Sequence, residues 1–235
     1  VRNQAEIFKA KKYILQEGKP IPFMVLLGIM TADGKIISSK YDKFRQINRF
    51  LEFIDDILGD VMKLKNEDEP LQILDFGSGK SYLTFAVQYY LSEIKKIPCN
   101  IIGLDLKKDV INFCSKIAVQ LDCKNLSFSV GDIAAYSGNK NPDIVISLHA
   151  CDTATDFALE YAVKNDCKAI LSVPCCQHEI NAQLENNLKK WKKDSQIPKD
   201  FAPLLKYGIV KERFSALLTD VLRCETLEKT GYSVQ

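Results

Sequence analysis

The sequence predicts an α/β fold, a doubly wound and mostly parallel sheet of Rossmann type, preceded by a helix–hairpin–helix extension. Three observations predict it. From residue 71 onward, short apolar strand-like segments alternate with longer segments of helical periodicity, the rhythm of strand–helix–strand units on a parallel sheet. A two-glycine turn, Gly77 and Gly79, joins the first of these strands to the first of these helices. A polar break at 66–70 sets this region, residues 70–235, apart from an N-terminal extension, residues 1–69.

In the extension, residues 3–17 carry Ile7, Phe8, Ile14 and Leu15 at helical spacing and end at Gly18 and Pro20. Apolar runs at 23–30 and 34–37 flank a turn whose Asp33-Gly34 pair signals a β-hairpin. Phe44, Ile47, Leu51, Ile54 and Leu58 then fall on one face of a helix over 41–58. Beyond the break, strands are expected at 71–75, 100–105, 126–130, 143–148 and 168–173. Helices are expected at 80–94, 108–121, 153–164, 177–193 and 215–230. Residues 231–235 resemble the start of a strand. With Val at position 1, the chain reads as a piece of a longer protein, the sheet short of its last strand.

The turn at 75–81 narrows the ligand. A phosphate-binding P-loop requires Gly where Leu74 stands, five residues before Gly79, so Gly79-Lys80-Ser81 is a near miss. A dinucleotide fingerprint requires Gly or Ala where Tyr82 stands. What remains is a strand ending in Asp75-Phe-Gly77-Ser-Gly79, which resembles motif I of class I S-adenosylmethionine-dependent methyltransferases, with Ser81 in place of a third glycine. In an open α/β sheet, ligands sit beyond the carboxyl ends of the strands, so those ends are the positions to read.

Asp105 ends the second strand. Its carboxylate can accept two hydrogen bonds from a ribose diol, or cap the helix that follows. Asp132 follows the third strand, where an ordinary turn aspartate is the plainer reading. The fourth strand leads into Leu148-His149-Ala-Cys151-Asp152, and the fifth into Pro174-Cys175-Cys176-Gln-His178. The chain has two histidines, His149 and His178, each within three residues of a cysteine. Three chemistries could use these loops. His149, Asp152 or His178 could accept a substrate proton, and a cysteine could attack the substrate covalently. His149, Cys151, Cys175, Cys176 and His178 are also suitable zinc ligands. Adjacent Cys175 and Cys176 cannot easily reach one ion, and no Cys-x-x-Cys is present, so no metal is expected. The structural alternative is that Cys175 and Cys176 line a packed strand end.

Residues 75–84, 103–107, 148–156 and 173–179 together resemble a bacterial branch of the methyltransferase-domain 32 family. The Leu-His-x-Cys and Cys-Cys-x-His elements are distantly similar to those of tRNA acceptor-stem ribose 2′-O-methyltransferases. The resemblance implies S-adenosyl-L-methionine as cofactor, held by Asp75, Gly77, Ser78, Gly79, Asp105, Leu106, Asp132, Ile133 and His149. Asp132 would meet the adenine amino group, and Ile133 would pack on the ring. It places methyl transfer at His149, Asp152, Cys175, Cys176 and His178, with RNA (tRNA or rRNA) as the expected substrate. A protein or small-molecule methyltransferase, or a cofactor- or RNA-binding module without activity, are the alternatives.

Composition sets outer bounds. With 32 Lys+Arg against 30 Asp+Glu the net charge is +2, so an RNA partner must be met by local patches. Lys35, Lys40, Lys43, Arg45 and Arg49, with Tyr41 and Phe44 among them, form one candidate patch, and 189–193 with Lys199, Lys206, Lys211 and Arg213 another. A solvated helix face accounts for them equally well. Gln46 and Asn48 could fold over the cofactor as a lid. No apolar run approaches the roughly 20 residues of a membrane span. No signal peptide opens the sequence, and eight scattered cysteines fit a reducing, cytoplasmic setting. No membrane and no obligate protein partner are expected.

Overall fold

The computed structural model describes residues 13–66, 69–133, 136, 138, 141–148, 150–174, 176–194 and 201–235. The sheet contains five strands: β1 Leu71–Phe76, β2 Cys99–Asp105, β3 Leu126–Val130, β4 Ile144–Ser147 and β5 Ala169–Ser172. Their order is β3-β2-β1-β4-β5, and every pairing is parallel. The chain winds outward from β1 to β3, then returns to pair β4 with β1. The strand order therefore reverses between β1 and β4, the point at which such sheets open a crevice for a ligand. β1 and β4 are apolar and buried almost throughout, as strands covered on both faces must be.

The helices are α1 Pro22–Leu26, α2 Tyr41–Leu64, α3 Tyr82–Tyr89, α4 Lys108–Gln120, α5 Thr153–Lys164, α6 Glu179–Asp194, α7 Ala202–Lys206 and α8 Gly208–Lys229. α3 runs on into a π-helical turn, Tyr90–Lys95. The expected strands and helices of the sheet region are present within a few residues. The exceptions are α7, which the sequence did not signal, and the start of α8 seven residues earlier than expected. The segment 231–235 is irregular, with the Tyr232 hydroxyl donating to the Cys167 carbonyl (2.7 Å). No helix among the described residues is long and apolar enough to cross a membrane.

The extension differs from the expected helix–hairpin–helix. Residues 1–12, most of its first predicted helix, lie outside the described residues, and 13–17 form bends and turns. The first half of the expected hairpin is instead α1. Pro22 at its first turn presets the backbone φ for a helix, and Phe23 and Met24 point into the core. Only the Met30–Ile36 bridge pairs across the Thr31–Gly34 turn. α2 is as predicted but one and a half turns longer. It buries Phe44, Ile47, Leu51, Ile54, Leu58 and Val61 in a hydrophobic core continuous with Ile73 of β1 and Phe85 of α3. Asn48 is fully buried, accepting from the Leu15 N–H (2.8 Å) and donating to the Phe44 carbonyl (3.2 Å). It is a structural staple, which removes it as a lid, and burial of Phe44 likewise removes it as a base-stacking group.

Candidate active site

Between Phe76 and Tyr82 the backbone is left-handed at Gly77 (φ 69°), Gly79 (φ 53°) and Ser81 (φ 55°). Glycine adopts this at no steric cost, whereas Ser81 carries strain of about 1 kcal/mol or more. Buried packing holds Ser81 there. The turn leans on β2: Ser78 N–H donates to the Leu104 carbonyl (2.9 Å), and Gly79 N–H donates to Asp105 Oδ2 (2.9 Å). Gly103 permits that approach, since a Cβ there would lie 2.6 Å from the Phe128 ring and 3.2 Å from Ser78 Oγ.

Asp75 is 3% exposed, and Thr84 of α3 donates to its Oδ2 (2.5 Å). Burial pushes its carboxyl up to about 7; the Thr84 hydroxyl opposes this, and the nearby Asp105 charge adds to it. An acid poised near neutrality attracts a cationic ligand. Asp75, Gly77, Ser78, Ser81 and Tyr82 line a cavity of about 220 Å³, closed by Leu148 beyond β4 and by Lys43 of α2. The cavity thus straddles the reversal of strand order. Among the described residues Ser78 Oγ is buried with no hydrogen-bond partner, and Ser81, the N-cap of α3, makes no capping bond. Free donors at the foot of α3, glycine backbone and a buried acid suit a small zwitterionic or sulfonium-bearing ligand.

Asp105 serves both readings offered for it. Its Oδ1 accepts the Lys107 N–H at the entry to α4 (2.9 Å), while Oδ2 orders the turn. Each oxygen keeps a lone pair for a further donor. Gly131 N–H donates to the Asp105 carbonyl (3.2 Å), which brings the exposed Asp132 beside the same strand end. Ile133 is half-buried against the small core around Phe76, and Leu106 is exposed.

The loops after β4 and β5 adjoin. Asp152 N–H donates to the Cys176 carbonyl (3.0 Å), and Asp152 Oδ1 accepts the N–H groups of His178 and Glu179 (3.1 and 3.2 Å) at the start of α6. Asp152 has φ 53° and ψ −125°, a region nearly reserved for glycine. Arg223 of α8, largely buried, holds it there by donating to the Asp152 carbonyl (3.0 Å) while its fork engages Asp156 (2.7 and 3.0 Å). His178 and Cys151 are exposed and Cys176 is half-buried. His149 and Cys175 lie outside the described residues. Among the described residues no group of three or more His, Cys, Asp or Glu could hold a metal ion.

Sequence reasoning passed over four residues that shape the site. Thr84 sits in an apolar helical run where a hydroxyl needs a partner. Gly103 interrupts a strand of large residues. Lys43 was legible only as one member of a basic patch, not as a cavity residue, and Arg223 gave no local signal.

A glycine-turn cavity at the switch point of a parallel sheet defines a nucleotide- or nucleoside-binding α/β domain. Residues 42–183 match the model of the methyltransferase-domain 32 family, described as a methyltransferase domain. The chain belongs to that family. Its match begins inside α2. The chain is 25% identical over 177 residues to the human "Glutathione S-transferase C-terminal domain-containing protein", covering 70% of this chain and 27% of that protein. The Drosophila pseudoobscura pseudoobscura homolog is 32% identical over 105 residues, 45% of this chain and 17% of that protein. The match therefore spans 27% and 17% of these curated relatives' length. Among solved structures, the N-terminal domain of EvdMO1 with SAH bound is similar at TM-score 0.41 and 12% identity, over 57% of this chain and 53% of that one. A SAM-dependent methyltransferase from Geobacter sulfurreducens, in complex with S-adenosyl-L-homocysteine, gives TM-score 0.34 and 16% identity over 47% and 42%.

Proposed function

We propose that the domain binds S-adenosyl-L-methionine in the cavity at the end of β1 and methylates RNA. The observation that carries the cofactor is the buried Asp75 carboxyl in its glycine turn, opening on a cavity at the switch point beside Asp105. When bound, the cofactor supplies an electrophilic methyl on a sulfonium. Asp75 faces the positive part of the ligand, and the backbone of Gly77, Ser78 and Gly79 surrounds its tail. Asp105 accepts from the ribose, and Asp132 and Ile133 meet the base, with Leu106 at the rim.

On the other side of the cleft, Asp152 orders the two loops through the backbone of residues 176–179. Proton acceptance from the substrate then falls to His149 or His178, and Cys175 and Cys176 complete the proposed transfer site. Catalysis comes largely from holding the nucleophile in line.

Support for RNA comes from the family resemblance of the two histidine loops and from charge at the sheet's carboxyl edge. Lys80 borders the cavity, and Lys107 and Lys108 are exposed just beyond the end of β2. None of the three enters an ion pair among the described residues. Lys35, Arg45 and Arg49, by contrast, are paired with Asp33, Asp42 and Glu52. That pairing weakens the extension as a phosphate-binding face and moves the RNA footprint to the cleft rim.

Calorimetry with S-adenosylhomocysteine tests the cofactor: binding that Asp105→Ala weakens is expected, and no heat would end the enzyme reading. Tritiated methyl transfer into fractionated lysate tests the substrate. Label removed by ribonuclease is expected; label removed by protease would transfer the reading to a protein substrate.

A further inference from the structure

The cavity has one wall that the sheet does not supply. Lys43 projects from the first turn of α2, in the segment ahead of β1, and lines the same space as the strand-end residues. Its stem is half-buried, and its Nζ lies 5.5 Å from the centroid of the Tyr82 ring. The ammonium donates to Gln46 Oε1 (2.9 Å), a neutral partner that leaves its charge uncompensated. Tyr82 opens α3, whose first-turn N–H groups receive no side-chain cap. A lysine held at a cavity wall, next to uncapped helix donors, makes a site for an anion. Asp75 lines the same cavity and is the one acid of its lining among the described residues. An acid and a base lining one cavity match a free α-amino acid group, ammonium towards Asp75 and carboxylate towards Lys43.

We propose that Lys43 binds the carboxylate of the cofactor's amino-acid tail, so that α2 is a structural wall of the cofactor site. This rests on the cofactor reading above and extends it to a residue outside the glycine turn. Gln46, exposed one turn along, orients the ammonium. Lys80 borders the cavity too, but its side chain is exposed to solvent, which screens its charge.

The test compares two ligands on the full chain by calorimetry: S-adenosylhomocysteine, and its decarboxylated analogue, which keeps the amine. Lys43→Met should weaken the first about tenfold, the scale of one charge-assisted hydrogen bond, and leave the second within about twofold. Lys43→Arg should restore most of the loss. Asp105→Ala should weaken both ligands alike, since it acts at the ribose. Thermal melts of the variants verify that the fold is kept. Unchanged affinity of Lys43→Met for S-adenosylhomocysteine, or an equal loss for both ligands, overturns the assignment while leaving the cofactor reading intact. A wild-type chain that binds neither ligand overturns both.

Discussion

The two halves of the sheet's carboxyl edge use their carboxylates differently. On the β1–β2 side, Asp75 is buried with one hydroxyl partner and lines the cavity. Asp105 spends its carboxylate on two N–H groups of the neighbouring backbone. On the β4–β5 side, Asp152 accepts two N–H groups from another loop and is anchored by an arginine 71 residues away. Asp75 is left available to a ligand. Asp152 is held in a strained conformation and is occupied in joining two segments. An acid at a strand end thus orders backbone where two N–H groups reach it, as at Asp105 and Asp152, and faces the cavity where a side-chain hydroxyl is its partner, as at Asp75.

Four measurements can break or sharpen this contrast. The largest effect is expected in the pH dependence of stability. The Asp75 carboxyl is raised from 3.8 to about 7 by burial, so the folded state holds its proton more tightly than the unfolded chain. Its contribution is full below about pH 4, falls as pH rises towards about 7, and is flat above that. Denaturant midpoints across that window should decline for the wild type and flatten for Asp75→Asn; an unchanged slope in the variant would mean that another group dominates.

On the opposite side, Arg223→Met strips Asp156 and the Asp152 carbonyl of a largely buried partner. A loss of about 2 to 3 kcal/mol is expected, reduced from the fully buried case because Asp156 is half exposed. Methyl transfer should drop while S-adenosylhomocysteine affinity holds. Equal damage to both would mean that the two sides are not separable.

Gly103→Ala forces a Cβ against the Phe128 ring and should cost about 2 kcal/mol. Unlike Arg223→Met, it should weaken S-adenosylhomocysteine binding by shifting the turn. Unaltered affinity would show that the turn tolerates a displaced β2.

Smallest is Asp152→Ala, which uncaps α6 at about 1 kcal/mol. Methyl transfer should fall at every pH tested. A pH-rate profile that loses an acidic limb would instead make Asp152 a proton acceptor.

Much of the β1–β2 side was legible in the chain. The apolar run 71–74, the acid at 75, the glycines at 77 and 79 and the helical spacing behind them lie within about twenty residues, and their geometry follows from local sterics. The β4–β5 side was legible only as chemistry-bearing loops. The sequence placed Asp152 among candidate proton acceptors, and nothing near it foretold the backbone of 178–179 or the guanidinium of Arg223. The hairpin expected around Asp33-Gly34 failed for a related reason. The turn formed, but Pro22 and the burial of Phe23 and Met24 made the preceding segment helical, and tertiary burial outweighed strand propensity.

By itself, the sequence determined the parallel αβ alternation, the glycine turn and the order of acids along the strand ends, because periodicity and left-handed backbone are properties of neighbouring residues. Tertiary structure alone decided that Lys43 of α2 closes the cavity, that the Thr84 hydroxyl donates to Asp75, and that Arg223 holds Asp152. Those contacts join distant segments, and a side chain's environment there is set by how helices pack on the sheet.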